Sequence, residues 1–121
     1  MNVLVVEDEW LTASDFTSVL REAKHAIVGP TPSASRALEL LDTNRVDFAL
    51  VDFELRGSSG SPVIESLEAA HIPYLIVTGH PAEDLPERLR GSVQNKPIDA
   101  ATLLRRIDEL VAETDEPAEA H

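Results

Sequence analysis

Cysteine is absent from all 121 residues. That excludes disulfides and thiolate metal sites, and it fits a reducing cytosol. Basic residues are scarce: 10 Lys and Arg stand against 22 Asp and Glu, a formal charge of −12. The last nine residues, ETDEPAEAH, hold four of those acids and no Lys or Arg, which leaves −8 on the rest. Such a surface repels phosphate backbones and anionic lipid, so direct nucleic-acid binding is not expected. Solubility is the plain consequence of the acidic balance. Long apolar runs are missing as well. No stretch approaches the about 20 residues that cross a bilayer, so no membrane span is expected. The opening MNVLVVEDE has no basic region, long apolar stretch or small-residue cleavage site, so no signal peptide is expected. There are no internal repeats and no low-complexity segment beyond the acidic tail.

What is present is ordinary for a globular chain: 43% hydrophobic and 26% charged residues. The length suits one domain with a real core. Short apolar runs alternate with helical stretches. NVLVV (Asn2–Val6) reads as a first strand, and Glu9 to about Ala23 as a helix with Leu11, Phe16, Val19 and Leu20 in its apolar stripe. HAIVGP is a second strand, stopped by Gly29-Pro30. Ser33 or Ser35 can cap a second helix, with Ala34, Ala37, Leu38 and Leu41 inward. DFALVD is a third strand, and a glycine-serine loop follows it. Ser61 as cap and Pro62 at the first position start a third helix to about Ala70. PYLIVT (Pro73–Thr78) is a fourth strand. Pro81 and Pro86 fragment the next segment, leaving a short helix near Pro86–Arg90. SVQN (Ser92–Asn95) is a fifth strand. Asp99 caps a last helix with Leu103, Leu104, Ile107 and Leu110 inward. The domain spans residues 1–112, and 113–121 is expected to be a frayed acidic tail.

Strands that are apolar throughout and separated by helices argue for a parallel sheet covered on both faces. Right-handed crossovers make this a doubly wound α/β fold of five strands, most simply in the order 2-1-3-4-5. Every strand then ends on one edge, where open α/β sheets place ligands.

Chemistry collects at that edge. The first strand ends in Glu7-Asp8, the third in Asp52, the fourth in Thr78, and the fifth in Asn95 and Lys96 before Pro97. The second ends in Gly29-Pro30 and offers nothing. Three carboxylates packed together repel, and some must protonate unless a cation joins them. Hard oxygen ligands in that number suit Mg²⁺, which often shares its shell with a phosphate. Lys96 is a point charge suited to a phosphoryl oxygen, and Thr78 can donate to another. A carboxylate is also a covalent phosphoryl acceptor. Asp52 is the candidate, because its strand lies between the Glu7-Asp8 pair and the Thr78–Lys96 side.

Residues 1 to about 112 resemble a receiver domain of two-component response regulators. The matching residues are VVEDE with Glu7-Asp8, LVDFELRGSSG with Asp52, IVTGH with Thr78, and NKPID with Lys96-Pro97. The resemblance implies a flavodoxin-like fold, with Asp52 as phosphoacceptor assisted by Thr78 and Lys96. It implies Mg²⁺ (or Mn²⁺) held by Asp8 and Asp52, by Glu7 partly through water, and by the backbone carbonyl of Glu54. A cis Lys96–Pro97 peptide is expected. The partners implied are a sensor histidine kinase, a histidine phosphotransfer protein, or both, and a downstream protein. The domain would be stand-alone and cytoplasmic, a monomer or weak homodimer. It would be no enzyme beyond its own phosphoryl acceptance and autodephosphorylation.

Two departures matter. Many receivers carry Tyr or Phe three residues before the lysine; here Val93 stands there, so the usual aromatic switch is missing. IPYLIVTGH and the broken fourth helix resemble an atypical subgroup with a FATGY-like fourth strand, paired with HWE/HisKA2 kinases. His80 replaces that subgroup's aromatic, and Ile76-Val77 replace Phe-Ala. Without the aromatic, the mobile element is expected to be the loop Gly79–Pro86 and the helix after it, with Gly79 permitting movement.

Each residue also has an ordinary use. Glu7 and Asp8 favour a helix N-terminus; Thr78 is a good β-former; Lys96 and Glu54 can simply face water. Glu54 can instead reach over the site, repelling a phosphoryl donor or pairing with Lys96 when no metal is bound. His80 can shape access to the phosphate or sit as an exposed imidazole. His25, His71 and His121 have no ligand spacing and read as surface residues. Trp10 reads as a rim residue shielding apolar surface, and Phe16 as core. Two rival functions remain: a docking module of the same fold that is never phosphorylated, and a phosphohydrolase with an aspartyl nucleophile. The second is open because Glu54 sits two residues after Asp52, at the offset of a general acid.

Overall fold

A computed structural model describes residues 1–55 and 57–115. Its main sheet has five parallel strands in the order β2-β1-β3-β6-β7. These are β1 (Asn2–Val6), β2 (Ala26–Thr31), β3 (Phe48–Asp52), β6 (Tyr74–Thr78) and β7 (Val93–Asn95). A two-stranded hairpin, β4 (Glu54–Leu55) with β5 (Ser58–Ser59), lies outside the sheet. Set aside that hairpin, and the order is the 2-1-3-4-5 expected for a doubly wound fold.

Alternation along each strand divides the core in two. Val3, Val5, Phe48, Leu50, Leu75 and Val77 face one side, packed with Phe16 and Leu20 of α1 (Trp10–Glu22) and Leu103, Ile107 and Leu110 of α4 (Ala100–Asp115). Leu4, Val6, Ala49, Val51 and Ile76 face the other. There they meet Ala34 and Ala37 of α2 (Ala34–Thr43), Val63, Ile64 and Leu67 of α3 (Ser61–Ala69), and Leu85 and Leu89. All five residues of β3 are buried, so the centre of the sheet excludes water on both faces.

Several local expectations are corrected. β2 does not stop at Gly29. Gly29 adopts φ +92°, open to glycine, and the Gly29–Pro30 peptide is cis. The pairing skips a step there, and Thr31 regains register opposite Val6. α1 starts at Trp10 rather than Glu9, and Leu11 is 63% exposed while Ala13 and Thr17 are buried in its place. Ser33 is the cap of α2, accepting from the Arg36 N–H at 3.2 Å. α3 has Gly60 rather than Ser61 at its cap position, and the Ser61 N–H donates to Ser59 Oγ at 3.0 Å. The glycine-serine loop after β3 is ordered into the hairpin by burial of Leu55. Between β6 and β7 there are two 3₁₀ segments, Ala82–Asp84 and Glu87–Ser92, each starting just after a proline. Asp99 caps α4 as expected, accepting from the Thr102 N–H at 2.7 Å. α4 runs on to Asp115, so the tail does not begin at 113; its remainder, 116–121, lies outside the described residues.

Gly60 is required by close approach. A Cβ there would lie 2.7 Å from the Asp52 carbonyl oxygen and 3.1 Å from Val51 Cγ1. Gly60→Ala is expected to cost about 1–3 kcal/mol by overpacking. Gly91→Ala, where a Cβ meets open space, should be near neutral. Urea unfolding of both variants measures the contrast. A second expectation concerns acid. The Asn2 N–H bonded to Asp47 (2.8 Å) and the Thr102 N–H bonded to Asp99 hold both carboxyls below their ordinary 3.8. Their stabilisation is therefore complete above 3.8 and lost as pH falls through the lower folded values. Melting temperature should fall over that range, less steeply in Asp99→Asn.

Candidate functional site

The parallel register puts five chemical groups on one edge. β1 and β3 pair Val6 with Val51, so Glu7 and Asp52 leave the sheet side by side. β3 pairs Asp52 with Val77, and β6 pairs Thr78 with Asn95, which brings Lys96 into the same groove.

Glu7 is buried. Its N–H donates to the Thr31 carbonyl at 2.9 Å, and its Oε2 accepts from the Glu9 N–H at 3.0 Å. Oε1 lies 2.8 Å from Lys96 Nζ, yet no well-directed hydrogen bond reaches it among the described residues. Asp52, 5% exposed, accepts from the Glu54 N–H at 3.1 Å through Oδ1, and its Oδ2 is 3.2 Å from Lys96 Nζ. Asp8 is half-buried, and one carboxylate oxygen from each of Glu7, Asp8 and Asp52 fits within 4.8 Å of the others. Thr78 is fully buried; its Oγ1 accepts from the His80 N–H at 3.1 Å and its carbonyl accepts from the Lys96 N–H at 2.9 Å. The Lys96–Pro97 peptide is cis, as expected.

Burial is the main force raising the Glu7 carboxyl above its ordinary 4.5, and the Asp52 charge adds to it; Lys96 and the Glu9 N–H offset this only in part. Burial acts the other way on Lys96, but its pairing with Glu7 and the charge of Asp52 outweigh it and raise the ammonium above its ordinary 10.5. Three carboxylates therefore crowd together beside the Lys96 ammonium. Their mutual repulsion, the hard oxygen donors and the poorly satisfied Oε1 all fit a divalent cation.

The remaining candidates are placed as follows. Glu54 does not pair with Lys96. Its side chain is exposed, and its Oε1 lies 2.6 Å from His80 Nε2. Val93 is half-buried opposite Ile76 and packs on the α2–α3 side of the core. Trp10 lines a shallow groove with Glu7, Asp8, Pro30 and Thr31, which puts it at the rim, but at 73% exposure it shields little. His25 is half-buried against the N-terminal ammonium (3.2 Å), with burial lowering its pKa. His71 is exposed, and His121 lies outside the described residues. Two supports were missed. The Thr31 carbonyl holds Glu7, although β2 was expected to end before it. Asn95 Nδ2 donates to the His80 carbonyl at 2.5 Å. The shared offset of Glu54 after Asp52 and His80 after Thr78, on adjacent strands, was the signal for their pairing.

A family model described as response regulator receiver domain matches residues 3–108. Among curated proteins, the transcriptional regulatory protein PdtaR of Mycobacterium tuberculosis is 30% identical over 91 residues, covering 74% of this chain and 44% of that protein. The chain thus spans less than half the length of that relative. The chemotaxis protein CheY of Pseudomonas aeruginosa is 24% identical over 118 residues, 91% of this chain and 95% of that one. Among solved structures, SdrG of Sphingomonas melonis superposes with a TM-score of 0.82 at 29% identity, covering 92% of this chain and 96% of that one. The receiver domain of PhyR from Erythrobacter litoralis gives 0.84 at 26%, covering 97% and 94%.

Lys96 holds two acids together, so Lys96→Met should destabilise the fold in metal-free buffer at neutral pH. The loss expected is about 2 kcal/mol, less than for a fully buried pair, since the Lys96 side chain is 24% exposed. The deficit should shrink in acid. Glu7 has a raised folded pKa, so the folded state takes up its proton first, and the repulsion disappears as pH falls toward 4.5. Urea unfolding at neutral and acid pH checks this; a deficit independent of pH would assign the loss to packing instead of charge.

Proposed function

The chain belongs to the response regulator receiver domains, and from that premise we propose that Asp52 accepts a phosphoryl group from the phosphohistidine of a sensor kinase or of a histidine phosphotransfer protein. The observation that carries this reading is Lys96 Nζ lying between Glu7 and Asp52, with Asp8 beside them. In the transfer, one Asp52 carboxylate oxygen forms a bond to phosphorus as the P–N bond breaks, and the electron pair returns to the donor imidazole. Glu7, Asp8, Asp52 and the Glu54 backbone carbonyl would hold Mg²⁺ or Mn²⁺. When bound, that cation supplies positive charge against the transferring phosphoryl oxygens.

The protein's own residues do the positioning. Asp52 is fixed at the end of a fully buried strand. Lys96 stays anchored by Glu7 when it turns from Asp52 to a phosphoryl oxygen. The Thr78 hydroxyl, fully buried on the adjacent strand, donates to another. The signal then passes to a partner protein through residues 79–92, because Val93 offers no aromatic ring to rotate. The FATGY-like fourth strand supports an HWE/HisKA2 kinase as donor, acting in the cytoplasm. The reading is of a monomer or weak homodimer. The contact of the Glu54 carboxylate with His80 weighs against the hydrolase alternative.

Incubation with Mg²⁺ and a small acyl phosphate should add the mass of one phosphoryl group, and Asp52→Ala should abolish it. No gain with any donor or kinase would leave a docking module. Trp10 gives a separate readout. Because it shares a groove with Glu7 and Asp8, its fluorescence should change on adding Mg²⁺, and Asp8→Asn should remove the change. A signal blind to Mg²⁺ in the native protein would count against the metal site.

A further inference from the structure

β6 and β7 end side by side, with Thr78 opposite Asn95. Gly79 follows Thr78, and a Cβ added there would meet nothing within 4 Å. Packing at that position therefore does not fix the turn Thr78-Gly79-His80. Backbone hydrogen bonds do. The His80 N–H donates to Thr78 Oγ1 at 3.1 Å. From the neighbouring strand, Asn95 Nδ2 donates to the His80 carbonyl at 2.5 Å and to the Thr78 carbonyl at 3.4 Å. The Thr78 carbonyl also accepts from the Lys96 N–H at 2.9 Å. Both groups facing the Asn95 amide are carbonyls, so only its two N–H groups fit there. Asn95 is exposed and belongs to neither half of the core. Its side chain is placed by these polar contacts, not by burial.

We propose that Asn95 is a positioning residue for Thr78: its amide clamps the carbonyls of residues 78 and 80 and so holds the His80 N–H on the Thr78 hydroxyl. The inference rests on the reading of Asp52 as phosphoryl acceptor, with Thr78 donating to a phosphoryl oxygen. A hydroxyl has one hydrogen and two lone pairs. The His80 N–H occupies one lone pair of Thr78 Oγ1, so the hydroxyl hydrogen must point away from that bond. Holding the turn therefore narrows the rotation of the hydroxyl before any phosphoryl group arrives, and a donor aimed in advance costs less to use. Alanine at position 95 removes both amide bonds. Among the described residues, the backbone hold on His80 then reduces to its bond with the Thr78 hydroxyl, the group that the transfer itself uses.

Phosphorylation by a small acyl phosphate with Mg²⁺ tests this in the native protein, Asn95→Ala, Thr78→Val and the double variant. Asn95→Ala should slow the reaction about threefold to tenfold, the scale of one neutral hydrogen bond. In the Thr78→Val background there is no hydroxyl to orient, and the same substitution should change nothing. An unchanged rate in Asn95→Ala overturns the proposal. Equal slowing in both backgrounds also overturns it, because that assigns the loss to the fold in general. A second readout needs no phosphoryl chemistry. In the unphosphorylated protein, hydrogen exchange of the His80 amide should speed up about threefold to tenfold in Asn95→Ala. Unchanged protection of that amide overturns the clamp. If neither the native protein nor any variant is phosphorylated, the proposed function falls while the exchange rate still decides the clamp.

Discussion

The Lys96 ammonium, 2.8 Å from Glu7 and 3.2 Å from Asp52, is the contact on which the ligand edge depends. A parallel sheet sends the C-terminal ends of all its strands to one side. When three of those ends carry acids, the fold concentrates negative charge where water is being excluded. Glu7 feels this most, since burial raises its carboxyl and Asp52 adds repulsion. The Lys96 ammonium eases that crowding. The fold thereby holds three carboxylates at one fixed place, a donor set suited to a hard cation.

The sheet was legible because its strands are apolar on both faces. Runs such as FALVD and YLIVT could be nothing on the surface, and all five residues of β3 are buried. The site was legible for a related reason: polar residues at the ends of buried strands have one place to go. Legibility failed where a local rule met a tertiary one. Gly29-Pro30 signals a stop, yet β2 continues, because a positive φ at Gly29 and a skipped pairing restore register at Thr31. Leu11 fits the helical period, yet lies on a part of α1 that leaves it 63% exposed. The loop behind Asp52 carries the glycines and serines of a loop, yet Leu55 is buried and Gly60 sits close to the Asp52 carbonyl. Side-chain pairs such as Glu54–His80 depend on loop paths that composition does not specify.

The same distinction separates the rigid and movable parts of the molecule. The sheet is held by backbone bonds and by side chains with no exposure. The segment from Gly79 to Ser92 is held differently. Leu85 and Leu89 anchor it in the core, two 3₁₀ turns shape it, and arginines tie it to its surroundings. Arg90 donates to the Glu83 carbonyl at 2.9 Å and the Leu85 carbonyl at 3.3 Å, and Arg106 of α4 to the Gly91 carbonyl at 2.9 Å. Arg88 reaches Glu68 of α3 at 2.5 Å, where Tyr74 also donates at 2.9 Å.

Bonds of that kind have small free energies and many near-equivalent alternatives, because a guanidinium offers five donors to whatever carbonyl or carboxylate is near. A segment held this way can change shape by exchanging partners without exposing the two leucines. A regular α-helix in its place would have a longer run of backbone bonds to break, or would rotate whole. Tyr74, pushed up to about 12 by burial and then by Glu68, is tied to the α3 end of this network and is not free to serve as the missing aromatic switch. With Val93 half-buried and aliphatic, the least costly response to a pull on Thr78 runs through the His80 backbone, which already bonds to Thr78 and Asn95, and from there along the arginine-held segment.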